Sequence, residues 1–264
     1  MRVSAISMIC MAVTAIVSSG FPAALFIIVR RKFKTSAVPL LTGAAAFILF
    51  ALVLERQVHL AVLGRFHLRQ NPLAYMAYGA LMAGIFEETA RFLSFHILKK
   101  KYRGFSTALS YGTGHGGIEA MLLAGFAMIN SIVFSIMINS GMADTITAPL
   151  SGAALTQANE QIAALCTAAP YMFLVSGFER LFAIALQLSL SVIVYYSVTS
   201  KDKWWLFPTA IALHALADVP AALMQAGVLS NIWVVEGIIM ISATALSLLA
   251  IFTHKRLKTV AEGE

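Results

Sequence analysis

Charge is what this sequence has least of. Asp, Glu, Lys and Arg make up 12% of its 264 residues, while 59% are hydrophobic. A soluble domain dresses its surface with about a quarter charged residues. Half that share excludes an ordinary water-exposed globule and leaves lipid as the solvent for most of the surface. Cysteine is nearly missing as well. Cys10 and Cys166 lie far apart with no CxxC-type spacing, which excludes a zinc knuckle and leaves a disulfide only formally possible; both read as packing residues. There is no internal repeat and no low-complexity tail. Arg2 is the only early charge, and the apolar stretch after it runs well past the length of a signal peptide's core, so the first helix is expected to insert and stay.

What the sequence does have is long apolar runs. They cover about 4–29, 38–60, 72–98, 105–138, 169–199, 204–226 and 229–253, each above the roughly 20 residues a membrane-crossing helix needs. The expected fold is therefore all-α: a polytopic helical bundle of about seven transmembrane helices, forming a single transmembrane domain over residues 1–264. The net charge of +7 does not indicate a nucleic-acid partner, because the basic residues fall in short runs between the apolar ones. Arg30–Lys32 with Lys34, Lys99–Lys101 with Arg103, Lys201 with Lys203, and Lys255, Arg256 and Lys258 follow the first, third, fifth and seventh runs. The alternate connections hold only Arg56, Arg65 and Arg69, and residues 139–168 hold no Lys or Arg. That asymmetry predicts an N-terminus outside and a C-terminus in the cytoplasm of a bacterial cytoplasmic membrane. Trp204 and Trp205 suit the inner interface, Tyr171 and Trp233 the outer one. Asn71-Pro72 suits a helix start, an N-cap side chain followed by a residue without an N–H. The connection at 139–168, mildly amphipathic around Thr156–Ala168, reads equally as a short surface helix or lid and as a flexible loop.

Ionisable residues interrupt these runs, and the cluster of interest is Glu87, Glu88, Arg91, His115, Glu119, Glu179, Arg180, His214 and Asp218. Each costs about 2.5–3.5 kcal/mol near the centre of a span, so they are expected to face one another and to mark a functional site. Glu87/Arg91, His115/Glu119 and His214/Asp218 are each four residues apart, which puts both members of a pair on one helix face. Glu87, His115 and His214 also lie at a similar depth, roughly 15–18 Å from the cytoplasmic ends at 1.5 Å per residue. Three helices reaching one level from one side can build one site.

The chemistry open to such a set is limited. A carboxylate beside an Arg in a water-poor pocket can serve as a general base. His115 and His214 with Glu119 would make a reasonable Zn2+ site with a position left for water. Either gives a hydrolase; a chain of Asp, Glu and His can also relay protons in a transporter, or a set of buried charges can simply hold helices together. Glu88 with Arg91 reads as well as an intrahelical ion pair, adjacent Glu179 and Arg180 as structural pairings with other helices, and Gln187 as glue between helices. Gly112-Thr113-Gly114-His115-Gly116-Gly117 matches the spacing of a dinucleotide-binding loop, but no strand precedes it. Its small residues are expected to let a neighbouring backbone approach and to leave room around His115 for substrate or water.

The succession Phe86-Glu87-Glu88-Thr89-Ala90-Arg91, His115-Gly116-Gly117-Ile118-Glu119-Ala120, Glu179-Arg180 and His214-Ala215-Leu216-Ala217-Asp218 resembles the YhfC family of intramembrane proteases. That family is similar to the CAAX prenyl proteases, the bacteriocin-processing and PrsW membrane proteases, and the anterior-pharynx-defective subunit of γ-secretase. The CAAX-type pattern is a Glu-Glu pair followed by Arg, then Phe-x-x-x-His, then His-x-x-x-Asn or Asp. The resemblance implies that Glu87 activates water, beside Glu88, with Arg91 as its partner. It places Glu119 where the second-motif His stands and His115 where the Phe stands, a departure from the CAAX pattern that PrsW-like members share at Glu119. It implies that His214 and Asp218 complete the site or stabilise an oxyanion. The expected activity is an intramembrane endopeptidase acting on a membrane protein or peptide. The alternatives are a non-catalytic scaffold or partner-binding subunit of the same fold and a proton-coupled transporter. No pair of broken helices in corresponding halves supports the last.

Overall fold

The computed structural model describes residues 2–262, with side chains through Leu257. Lys258, counted above in the last basic cluster, lies outside the described side chains. Among the described residues all regular structure is helical. In chain order the helices are α1 (Ala5–Phe33), α2 (Ala37–Arg65), α3 (Pro72–Leu98), α4 (Phe105–Asn139), α5 (Ala143–Thr147), α6 (Gly152–Thr167), α7 (Pro170–Thr199), α8 (Leu206–Gln225) and α9 (Ile232–Glu262).

Local chemistry accounts for the boundaries. α1 ends on Arg30, Arg31 and Lys32, cations that complement the carbonyl end of its dipole. The Ser36 hydroxyl accepts from the Val38 N–H at 3.1 Å to cap α2. Asn71 caps α3 through its side-chain oxygen on the Ala74 N–H at 3.1 Å, with Pro72 in the first turn, as expected. Two helices contain a π-helical stretch, Ile48–Glu55 in α2 and Met121–Phe126 in α4. Such stretches are rare and occur often at functional sites.

Among the described residues six helices are long and apolar enough to cross a membrane: α1, α2, α4, α7, α8 and the Ile232–Leu257 part of α9. The other expected span, 72–98, is helical as α3, 27 residues long, but Glu87, Glu88 and Arg91 keep it out of those six. The 139–168 connection is helical over α5 and α6, so it is not a flexible loop.

The chain divides into two compact units. The first gathers Met1–Phe21 and Ala120–Leu181. It packs around Val3, Met11 and Ile138. There the Asn139 side chain accepts from the Val3 N–H at 2.8 Å and donates to the Val3 carbonyl at 2.9 Å, and the Thr14 hydroxyl donates to the Phe173 carbonyl at 2.6 Å.

The second unit gathers Pro22–Glu119 and Phe182–Glu264. Its core is built from α3, α4, α7, α8 and α9 and includes Phe95, Tyr111, Leu190, Ile193 and Ala210. Here α2 and α4 touch backbone to backbone. A Cβ at Gly114 would sit 1.9 Å from the Leu40 carbonyl oxygen, and one at Gly43 would sit 2.2 Å from the Tyr111 carbonyl oxygen. Close approach through small residues is the usual way apolar helices pack when lipid supplies no hydrophobic drive between them. The expected spare room beside His115 is not there: Leu40 fills it at Gly114 and Gln187 at Gly116, and His115 is fully buried.

Gly114→Ala is expected to lower stability by about 1–3 kcal/mol, the range for overpacking a tight contact. Gly79→Ala, whose Cβ would meet nothing within 4 Å, should be neutral or slightly stabilising, since alanine is the better helix former. Thermal unfolding of the two variants in detergent checks the contrast; equal behaviour would show that the α2–α4 contact is not tight.

Candidate functional site

All seven residues predicted for the site fall in the second unit. α3 presents Glu87, Glu88 and Arg91, α4 presents His115 and Glu119, and α8 presents His214 and Asp218. All but Asp218 are buried, and Glu88, Arg91 and His115 show no exposed surface.

Arg91 is the foundation. Its guanidinium bonds to Glu88 Oε1 one turn back on α3 and to Gln187 Oε1 on α7. Holding the Gln187 oxygen fixes the direction of that amide. Its Nε2 donates to Glu87 Oε2 at 2.9 Å and to Glu119 Oε2 at 2.8 Å. Glu87 Oε2 also lies 2.9 Å from His115 Nε2 and 3.9 Å from His214 Nε2. His214 is held from its other side by Nδ1, which donates to Glu88 Oε1 at 2.6 Å, and its Nε2 is 3.5 Å from Asp218 Oδ2. Phe47 meets the His115 ring edge-on at 5.2 Å, and Tyr111 stacks on it at 5.9 Å. Glu88 Oε2, Arg91 Nε and His115 Nδ1 are buried with no hydrogen bond to another described side chain or backbone group.

The i, i+4 pairs therefore converge, though not all as pairs. Arg91 bonds to Glu88 rather than to Glu87, and reaches Glu87 only through Gln187. Glu179 and Arg180 belong to the first unit and bond to each other, a pairing that their adjacency on one helix did not suggest.

Two parts were missed in the sequence. Gln187 was read as helix glue, because a neutral side chain carries no charge signal. The other is Glu55, inside the apolar run 38–60. It is buried at the end of the α2 π-helical stretch and stands within electrostatic range of Glu87, His214 and Asp218. His59 Nε2 lies 3.1 Å from Glu55 Oε1, and His59 Nδ1 lies 2.9 Å from the Tyr78 hydroxyl. The signal was the same four-residue spacing that marked the other pairs. With a side chain one-third exposed, His59 gives this branch an outward end.

The donors suit a divalent metal in kind, two imidazoles and several carboxylates. They do not suit one in arrangement. Among the described residues no group of three or more His, Cys, Asp or Glu side chains is placed to hold a metal ion. His115 Nε2 is turned on Glu87 and Glu119 on Gln187.

A helical membrane bundle with carboxylates, imidazoles and an arginine bonded together in its interior is the architecture of an integral membrane protein with a polar site inside it. The chain belongs to the YhfC intramembrane metalloprotease family, whose profile it matches over residues 16–239. It is 36% identical over 261 residues to a protein of Bacillus subtilis (strain 168) described as uncharacterized membrane protein YhfC, covering 96% of this chain and 98% of that one. No solved structure matches it.

Removing Arg91 strands Glu88 as a buried charge. Arg91→Met is expected to cost about 3–5 kcal/mol, the range for breaking a buried ion pair from one side. Glu88→Gln in the same chain should restore part of that loss, giving a coupling energy in the range of about 0.5–3 kcal/mol. Denaturation of the two single variants and the double variant in detergent measures it; strict additivity would mean the two groups do not share one network.

Proposed function

We propose that the chain is an intramembrane endopeptidase in which Glu87 activates the attacking water. The observation that carries this reading is where the donors meet. His115 Nε2 and Gln187 Nε2 both bond to Glu87 Oε2, with His214 Nε2 nearby. Glu87 and Glu119 keep 8% of their surface exposed, whereas Glu88 and Arg91 beneath them have none. The sealed pair holds the site, and the proposed reaction needs water to reach the two partly exposed carboxylates.

In the proposed reaction the Glu87 carboxylate takes a proton from water as the oxygen attacks the scissile carbonyl carbon. The C–N bond then breaks while Glu87 returns that proton to the leaving nitrogen, so the carboxylate is regenerated. His115 and Gln187 orient Glu87 by donating to it. His214, anchored through Nδ1 on Glu88 and flanked by Asp218, aims Nε2 at the space beside Glu87. In its doubly protonated form it donates to the oxyanion as charge develops there. Arg91 acts at one remove, as the anchor of Gln187. Glu55, His59 and Tyr78 would carry protons between this space and the outer part of α2.

The substrate would be a membrane protein or peptide whose helix unwinds locally, because a helical peptide bond shields its carbonyl. The setting would be a bacterial cytoplasmic membrane with the N-terminus outside and the C-terminus in the cytoplasm, as the basic clusters require. The family description points to a metal, and Zn2+ with His115, Glu119 and His214 would require those side chains to leave their present partners; no step in the proposed reaction is routed through it.

Glu87→Gln keeps the shape and loses the base. Cleavage of a membrane peptide by the purified variant should fall by about 10²–10⁴-fold, the usual weight of general-base catalysis, with unfolding behaviour close to wild type. Cleavage retained at the wild-type rate would remove Glu87 from this role. Metal analysis of the same preparation, before and after chelation, bears on the metal independently.

A further inference from the structure

A cavity of about 900 Å3 opens where α3 ends, α4 begins and α7 and α9 finish. Lys99, Lys100 and Arg103 line it, and no Asp or Glu does among the described residues. The cations are held over it by the backbone: Lys99 Nζ donates to the Val198 carbonyl at 3.3 Å, and Arg103 Nε donates to the Lys99 carbonyl at 3.3 Å. Below them the wall is aromatic and ordered. His254 stacks on Phe105 with centroids 3.9 Å apart, and its Nδ1 lies 2.5 Å from the Tyr196 hydroxyl. The Gly104 N–H donates to the Tyr195 hydroxyl at 2.6 Å. Gly104 takes φ +96° at this point, a conformation few side chains tolerate, and so turns the chain into α4. The first residues of α4, Phe105 and Ser106, then line the cavity with the positive end of a long helix.

We infer that this cavity binds a phosphate-bearing anion with an apolar body, the headgroup region of an anionic phospholipid. Three cations, with no carboxylate lining the cavity among the described residues, select for negative charge, and the planar fork of Arg103 suits phosphate oxygens. The volume greatly exceeds that of a lone phosphate and falls in the range of small-molecule sites. Basic pockets between membrane helices on the cytoplasmic side are the expected form of lipid-headgroup recognition. The simpler account, that these lysines only help orient the chain in the membrane, does not explain a basic cavity with a stacked aromatic wall. The site lies apart from the Glu87 cluster, and its test does not depend on proteolysis.

The test is native mass spectrometry of the full chain released from nanodiscs of mixed phosphatidylglycerol and phosphatidylcholine. Wild type is expected to retain phosphatidylglycerol in preference to phosphatidylcholine. Lys100→Gln with Arg103→Gln should reduce that retention by about tenfold, at roughly a factor of five or less for each basic residue removed. Ser200→Asp, which adds a carboxylate at the cavity wall without removing a cation, should do the same. Lys201→Gln with Lys203→Gln, basic residues outside the cavity, should leave it unchanged. Inorganic phosphate that displaces the lipid at millimolar levels would identify a soluble phosphate as the natural source, and lipid that resists it would identify the headgroup. Equal loss in the cavity and control variants, or loss in neither, overturns the site.

Discussion

A guanidinium buried among apolar helices must be surrounded by acceptors, and the second unit is organised around meeting that demand for Arg91. Its two partners are Glu88 on its own helix and Gln187 on α7. Each partner passes the constraint on. Glu88 fixes His214 through Nδ1, and Gln187, with its oxygen held by Arg91, turns its nitrogen toward Glu87 and Glu119. A cation with no exposed surface thereby sets, through one neighbour each, the hydrogen bonding of His214, Glu87 and Glu119. The ion pair need not add stability, because desolvation consumes most of the Coulombic gain. What it contributes is orientation, which the proposed reaction requires.

The helix packing serves the same end. Gly43 and Gly114 let α2 lie directly on α4, which brings Phe47 against the His115 ring. A few residues on, α2 widens into its π-helical stretch, which rotates the later residues of the helix about its axis. Glu55 closes that stretch and is buried beside the cluster, whereas Arg56 immediately after it is exposed.

Much of this was legible in the sequence because membranes punish stray charge. Low charge content and long apolar runs implied a helical membrane bundle, and ionisable residues inside those runs had to meet. The four-residue spacing placed each pair on one face, and Glu87, His115 and His214 do come together. Three things were illegible for physical reasons. Gln187 is neutral, so hydropathy cannot single it out, although it is the piece that joins Arg91 to Glu87. The π-helical stretch of α2 has no compositional mark, so the four-residue spacing of Glu55 and His59 could not show that Glu55 turns toward the cluster. Spacing also cannot choose between i+3 and i+4 partners, and Arg91 took Glu88 over Glu87. The glycines around His115 could be read as space for a substrate or as space for another helix, and the bundle uses them for the helix.

Membership in the YhfC intramembrane metalloprotease family and a hydrogen-bonded acid–imidazole cluster inside the bundle support the same reading, that water is activated within the membrane. The measurement that tests this most directly is mass spectrometry of a membrane-spanning peptide cleaved in 18O-labelled water. The account predicts a new C-terminus inside the apolar segment of the peptide, carrying solvent-derived 18O in its carboxyl group. Cuts confined to the water-exposed flanks, or an intact peptide, would contradict it.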